Sequence, residues 1–253
     1  MNDVFIIAIV LLFSIIAMLG STIKLCHRFP GSFGIMVAGG LSYFLTQVLL
    51  QLPIFPLLEL NTGNPIAMLA VVGLFTALTA TVARYLIVRW ILSDKLSWGS
   101  AFSAGVGQGF CETIFLFIIF YFIQMAIMQA GQDGEQLIEA LFHRSVSYVL
   151  IDLFAQISAV CFHIAMYLII VRGFLKKQEM NGPLLVYMFQ ILYTYFKYYI
   201  LSPNQNIWMN LAGVLLIGIL SLIYIIQTYN VMNKDNQLDF EKDAAEKALE
   251  EGY

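Results

Sequence analysis

The sequence predicts an all-α, polytopic membrane protein with seven transmembrane helices, and three observations predict it. Of 253 residues, 60% are hydrophobic and only 11% charged, where an ordinary soluble chain carries about 25% charged residues. Mean hydropathy is +0.82, and a chain this short has no interior large enough to hide so much apolar side chain. The apolar residues also fall into long uncharged runs, each near the roughly 20 residues that cross a hydrocarbon core. Lipid offers no partner to a stray backbone N–H or C=O, so such runs fold as helices. They are too long and too continuously apolar for barrel strands. Soluble enzymes and disulfide-stapled secreted domains are excluded together. A net charge of −3 leaves no basic footprint for nucleic acid. The odd set Cys26, Cys111 and Cys161 reads as packing residues, not a disulfide framework.

The first span is Val4–Ile23, ended by Lys24, His27 and Arg28. Asp3 and the lack of a basic leader or a small-residue cleavage site mark it as a retained span, not a signal peptide. Pro30-Gly31 starts a second helix that stops near Leu52-Pro53. A loop follows, built on Pro53, Pro56 and Asn61-Thr62-Gly63-Asn64-Pro65, residues that punctuate helices. Ile66–Leu92 is the third span. Leu96–Ala130, with Glu112 its single charge and Gly105, Gly107 and Gly109 in its middle, reads as one long tilted helix. Val146–Val171, Pro183–Ile200 and Ile207–Tyr229 complete the set. In the loop 131–144, Leu137, Ile138, Leu141 and Phe142 recur at the spacing of an amphipathic surface helix.

Lys24, Arg28, Arg89, Lys95, Arg172, Lys176 and Lys177 fall in the first, third and fifth loops, and the others hold only Arg144. Positive residues stay cytoplasmic, so the N-terminus is expected outside and the C-terminus inside a cell membrane. Residues 1–230 form the membrane domain and 231–253 an acidic cytoplasmic tail, where Asp243/Lys247 and Lys242/Glu246 stand one helical turn apart.

An ionisable group at bilayer depth costs at least about 2.5 kcal/mol on insertion scales, so each needs a partner or a task. Four spans carry polar residues at one-turn spacing: Gln47 and Gln51; Gln108 and Glu112; Asp152, Gln156 and His163; Gln190, Thr194 and Lys197. Each set lies on one side of its helix, and the economical arrangement turns all four inward. Gly105-xxx-Gly109 lets a neighbouring helix approach beside Glu112. Glutamines within spans also serve as interhelical glue, and Arg84 and Arg89 stand where side chains snorkel to the interface. Glu112 and His163 lie too deep to snorkel. They read either as a water-activating couple or as a static pair locking two helices. His27, His143 and His163 are scattered, with no HExxH spacing, so no metal and no cofactor is expected.

Four motifs occur in order: Phe44-Leu-Thr-Gln-Val-Leu-Leu-Gln-Leu-Pro53, Ala83-Arg-Tyr-Leu86, Gly105-Val-Gly-Gln-Gly-Phe-Cys-Glu112 and Phe162-His-Ile-Ala165. In them the chain resembles the YhfC-type membrane proteins, a bacterial family grouped with glutamic-type intramembrane proteases. Wider relatives are the CAAX-processing and bacteriocin-processing proteases and the anterior-pharynx-defective subunit of gamma-secretase, which has seven spans, an outside N-terminus and no catalytic carboxylate pair. The resemblance implies a protease-like helical bundle with Glu112 and His163 as the catalytic positions and Arg84 beside them. It also exposes departures. Ala80 and Thr81 stand where active relatives carry an acidic pair, Gln108 where a histidine precedes the glutamate, Ala155-Gln156 where a Glu-Arg pair is common, and Gln190 or its neighbour where a histidine belongs.

Three functions follow. The first is a non-catalytic scaffold or binding subunit for another membrane protein, a hydrophobic peptide or a lipid. Loss of Glu and His to Ala, Thr and Gln favours it, since Gln keeps hydrogen bonding without a buried charge. The second is an active intramembrane protease, with Glu112 as general base and His163 as electrophile or oxyanion donor. A solute transporter is the third, without the inverted repeat or paired broken helices that would support it.

Overall fold

The structure is a computed structural model and describes residues 2–29, 31–51, 65–119, 146–200, 212, 213 and 215–232. The surface helix expected over 131–144 and the tail beyond Met232 lie outside the described residues. Every described element is a helix. Helix α1, Asn2–Arg28, runs past Ile23 to finish on His27 and Arg28, cations that suit the negative end of the helix dipole. Gly31, at φ 81°, takes a left-handed conformation that costs glycine little, and the chain turns directly into α2, Ser32–Tyr43.

Helix α2 continues as π-helical turns over Phe44–Gln51. Helix α3, Pro65–Leu86, does the same over Ile87–Ile91, and α4, Trp98–Thr113, over Ile114–Ile119. The wider turn resets side-chain direction beyond each switch. Helix α4 starts at Trp98, two residues after the expected Leu96. Ser97 stands extended at φ −152° and trades side-chain and backbone hydrogen bonds with Ser100, a reciprocal capping box that fixes the helix start. Gly105, Gly107 and Gly109 do not interrupt the helix. Helix α5 is Val146–Leu175, α6 is Asn181–Ile200 and α7 is Leu215–Met232. Pro183 sits in the first turn of α6, where its missing N–H is no loss.

Among the described residues six helices are long and apolar enough to cross a bilayer: α1 to α5 and α7. Helix α6 forms where the sixth span was expected, but it is not among the six. The chain is an apolar helical bundle with the dimensions of a multi-pass membrane protein. Helix α5 is its axis: 72% of its most apolar stretch is buried, against 17% for α1 and 22% for α7. Helix α4 packs between α2 and α5, while α3 lies on α6 and α6 on α5.

Glycines decide how near these helices come. A Cβ on Gly105 would lie 2.4 Å from Ile164 Cα, and one on Gly109 2.7 Å from Val160 Cα. That face of α4 therefore rests backbone to backbone on α5, as small residues allow in membranes. On the opposite face a Cβ on Gly107 would fall 1.9 Å from the Met36 carbonyl oxygen, and one on Gly39 2.0 Å from that of Ala104. Helix α4 is thus clamped between α2 and α5.

Candidate functional site

The close approach of α4 to α5 sets the site. With Gly105 on Ile164 and Gly109 on Val160, the next inward residue of α4, Glu112, meets His163 of α5 directly: Nε2 and Oε2 are 2.7 Å apart. Arg84, in the last turn of α3, reaches the other side of the ring, with Nη2 2.8 Å from His163 Nδ1. Its Nε donates to Gln108 Oε1 at 2.9 Å and its Nη1 to Gln190 Oε1 at 2.9 Å. Tyr193, one turn beyond Gln190 on α6, donates its hydroxyl to Glu112 Oε1 at 3.4 Å. Gln190 Nε2 also reaches Thr194 Oγ1 at 3.4 Å. Four helices meet here through side chains. Arg84, Gln108, Glu112, His163 and Gln190 are each no more than 4% exposed.

The geometry assigns the protons. A guanidinium only donates, so His163 Nδ1 is the acceptor and the neutral ring carries its proton on Nε2. That proton goes to Glu112 Oε2, while Glu112 Oε1 accepts from Tyr193. A carboxyl that accepts on both oxygens is a carboxylate, and its charge is balanced by Arg84 across an uncharged imidazole. Charged hydrogen bonds of this kind are about twice as strong as neutral ones, and in a low-dielectric interior the members polarise one another. Arg84 does not snorkel to the interface. Gln108, Gln190 and His163 supply acceptors inside the bundle, and the side chain is fully buried on them.

The other expected site residues lie elsewhere. Asp152 and Gln156 are buried on the His163 side of α5, but 11 and 7 residues earlier place them about 16 and 10 Å away along the axis. Gln51 ties α2 to α3, donating to Thr79 Oγ1 at 2.7 Å and accepting from Thr76 Oγ1 at 3.1 Å. Gln47 is half-buried, within the π-helical turns that set its direction. Tyr193 was missed by sequence reasoning. It stacks on Phe162 at 4.2 Å between centroids and 14° between planes, which aims its hydroxyl beside His163. Its place three residues after Gln190 was the available signal. Arg89, by contrast, is half exposed and bridges Glu179 at 2.8 Å, a surface pair worth about 0–1 kcal/mol. Among the described residues no group of three or more His, Cys, Asp or Glu side chains is placed to hold a metal ion.

As built, the arrangement joins helices. Each Glu112 oxygen keeps a second lone pair, so a base role would need a water to reach it inside a centre where the residue is only 3% exposed. For His163 to shuttle a proton, Nδ1 must first release Arg84. Because Glu112 and His163 touch directly, their substitutions are expected not to add. The double variant Glu112→Leu/His163→Leu should lose about 1–3 kcal/mol less than the sum of the single losses, read from thermal unfolding in detergent. Additive losses would show that the contact contributes nothing. Comparison with family models, curated proteins and solved structures gave no match, so the family resemblance stands on its four sequence motifs alone.

Proposed function

We propose that this chain is a seven-span protein of the cell membrane, N-terminus outside, that serves as a non-catalytic scaffold subunit for another membrane protein or a hydrophobic peptide. In this reading it is a degenerate relative of the YhfC-type proteases, with the helical bundle kept and the chemistry lost. One observation carries it: both nitrogens of His163 are held by side chains, Nδ1 by Arg84 and Nε2 by Glu112, and each Glu112 oxygen already accepts one side-chain donor. A hydrolase holds these groups toward a water and a scissile carbonyl. A scaffold closes them on each other, leaving an interior that is polar, charge-balanced and stiff. Gln108 and Gln190 support the reading, since each gives Arg84 an oxygen where the resemblance expects a histidine.

The test is cleavage. Purified full-length protein in proteoliposomes, offered membrane-embedded peptides, is expected to cut none, and Glu112→Gln should leave that result unchanged while lowering thermal stability. Cleavage by the parent protein that disappears in Glu112→Gln would overturn the proposal in favour of a working glutamic protease.

A further inference from the structure

A second feature stands apart from the polar network and independent of the proposal above. A cavity of about 570 Å³ opens between α1, α4, α5 and α7, within the roughly 300–1,000 Å³ of small-molecule sites. None of its lining residues belongs to the network. Along α4 its wall runs from Trp98 through Phe102 and Val106 to Phe110. That stretch rises about 18 Å, a little over half of a hydrocarbon core about 30 Å thick. The groove is one leaflet deep.

Its chemistry changes with depth. Lys24 and Arg28, from the last turns of α1, line one end with Tyr229 of α7 and Trp98 of α4. Both cations are exposed, and no lining residue is acidic. Arg28 Nη2 reaches the Tyr229 hydroxyl at 3.4 Å, and Trp98 meets Tyr229 edge-on at 5.0 Å and stacks on Phe102 at 4.7 Å. Below this mouth the walls are apolar except for Ser21, whose hydroxyl donates to the Ala17 carbonyl, and are completed by Val160, Ile164 and Ile225. One polar atom is out of keeping: the Trp98 Nε1–H is buried and has no acceptor among the described residues. A buried donor without a partner costs about 1–3 kcal/mol and marks a place where a ligand oxygen belongs.

We propose that this groove binds one anionic glycerophospholipid, its phosphate on Lys24 and Arg28, an ester carbonyl on Trp98 Nε1–H and an acyl chain along Phe102, Val106, Phe110 and Ile164. The order of groups down the groove is cation, lone donor, hydrocarbon. That is the complement of phosphate, ester and chain in such a lipid, and basic pockets between spans are a recurrent way of holding acidic headgroups. A detached anion would leave the apolar depth unfilled, and a zwitterionic lipid would place its own cation against Lys24 and Arg28.

The test uses the full chain with Trp90→Phe and Trp208→Phe, so that Trp98 alone fluoresces, in phosphatidylcholine vesicles. Phosphatidylglycerol with brominated acyl chains is expected to quench Trp98 at a far lower mole fraction than brominated phosphatidylcholine. Each basic side chain at an anionic headgroup is worth about fivefold in affinity, so Lys24→Gln/Arg28→Gln should weaken the preference by about 25-fold. Both substitutions are at exposed positions. Soluble glycerol 3-phosphate should not reverse the quenching. Equal quenching by the two lipids, a preference that survives the double variant, or displacement by glycerol 3-phosphate would each overturn the proposal. So would phosphatidylglycerol quenching that emerges only when residues 234–253 are deleted, which would make the acidic tail the occupant of the basic mouth.

Discussion

Replacing Arg84 with methionine is expected to destabilise the folded bundle by about 3–5 kcal/mol, the loss that follows when one partner of a buried ion pair is removed. Two effects of opposite sign compete. On insertion scales an arginine at mid-span costs about 2.5–3.5 kcal/mol, so its removal makes the isolated helix more comfortable in lipid. That cost, however, falls on the inserted but unfolded chain as well as on the folded one, and most of it cancels from the folding equilibrium. What does not cancel is specific to the folded state. Gln108, Gln190 and His163 lose the donor they share, and the buried Glu112 carboxylate loses the positive charge held behind His163. The loss should be read from denaturant or thermal unfolding in one detergent. Adding Glu112→Gln should recover part of it, because a neutral amide needs the guanidinium charge less. Arg84→Lys should not, because an ammonium cannot reproduce a planar fork that serves acceptors on three other helices. An Arg84→Met variant as stable as the parent would mean that the network contributes nothing to the fold.

The second large effect comes from one methyl group. Gly107→Ala is expected to cost about 3 kcal/mol, the upper end of ordinary overpacking, although alanine is the better helix former by about 1 kcal/mol. The added Cβ would stand 1.9 Å from the Met36 carbonyl oxygen, and its next nearest neighbours are also backbone atoms of α2. No flexible side chain is there to swing aside, so α2 and α4 must separate along their contact. By contrast Gly20, where an added Cβ meets nothing within 4 Å, should gain slightly from alanine. Thermal unfolding of the two variants side by side checks the contrast, and a Gly107→Ala protein at least as stable as Gly20→Ala would refute the close contact.

The helices were legible because a membrane simplifies the problem: uncharged length alone announces a span. Legible too were the inward stripe of α4 and its glycines, since Glu112 in mid-span demands a partner and Gly105-xxx-Gly109 offers a close neighbour. The direction of Arg84 was not. Near a span end an arginine has two destinations, the interface or the interior, and the choice depends on acceptors that Gln108 and Gln190 bring from other helices. Tyr193 was hidden because a tyrosine within a span reads as apolar until its hydroxyl finds a carboxylate. Gln51 bonds to Thr76 and Thr79, a local tie that one-turn spacing cannot distinguish from membership of a common centre. The π-helical turns left no mark at all, for no residue type in Phe44–Gln51 or Ile114–Ile119 demands them.

The proton held on one side of the His163 ring has a consequence for how this sequence is free to drift. Acceptors and donors alternate from Gln108 and Gln190 through Arg84 and the imidazole to Glu112 and Tyr193, so exchanging any one member reverses the polarity its neighbours require. Such positions are expected to change together, not singly. A workable substitute for the centre must rewrite several helices in one step, or pass through intermediates that fold poorly.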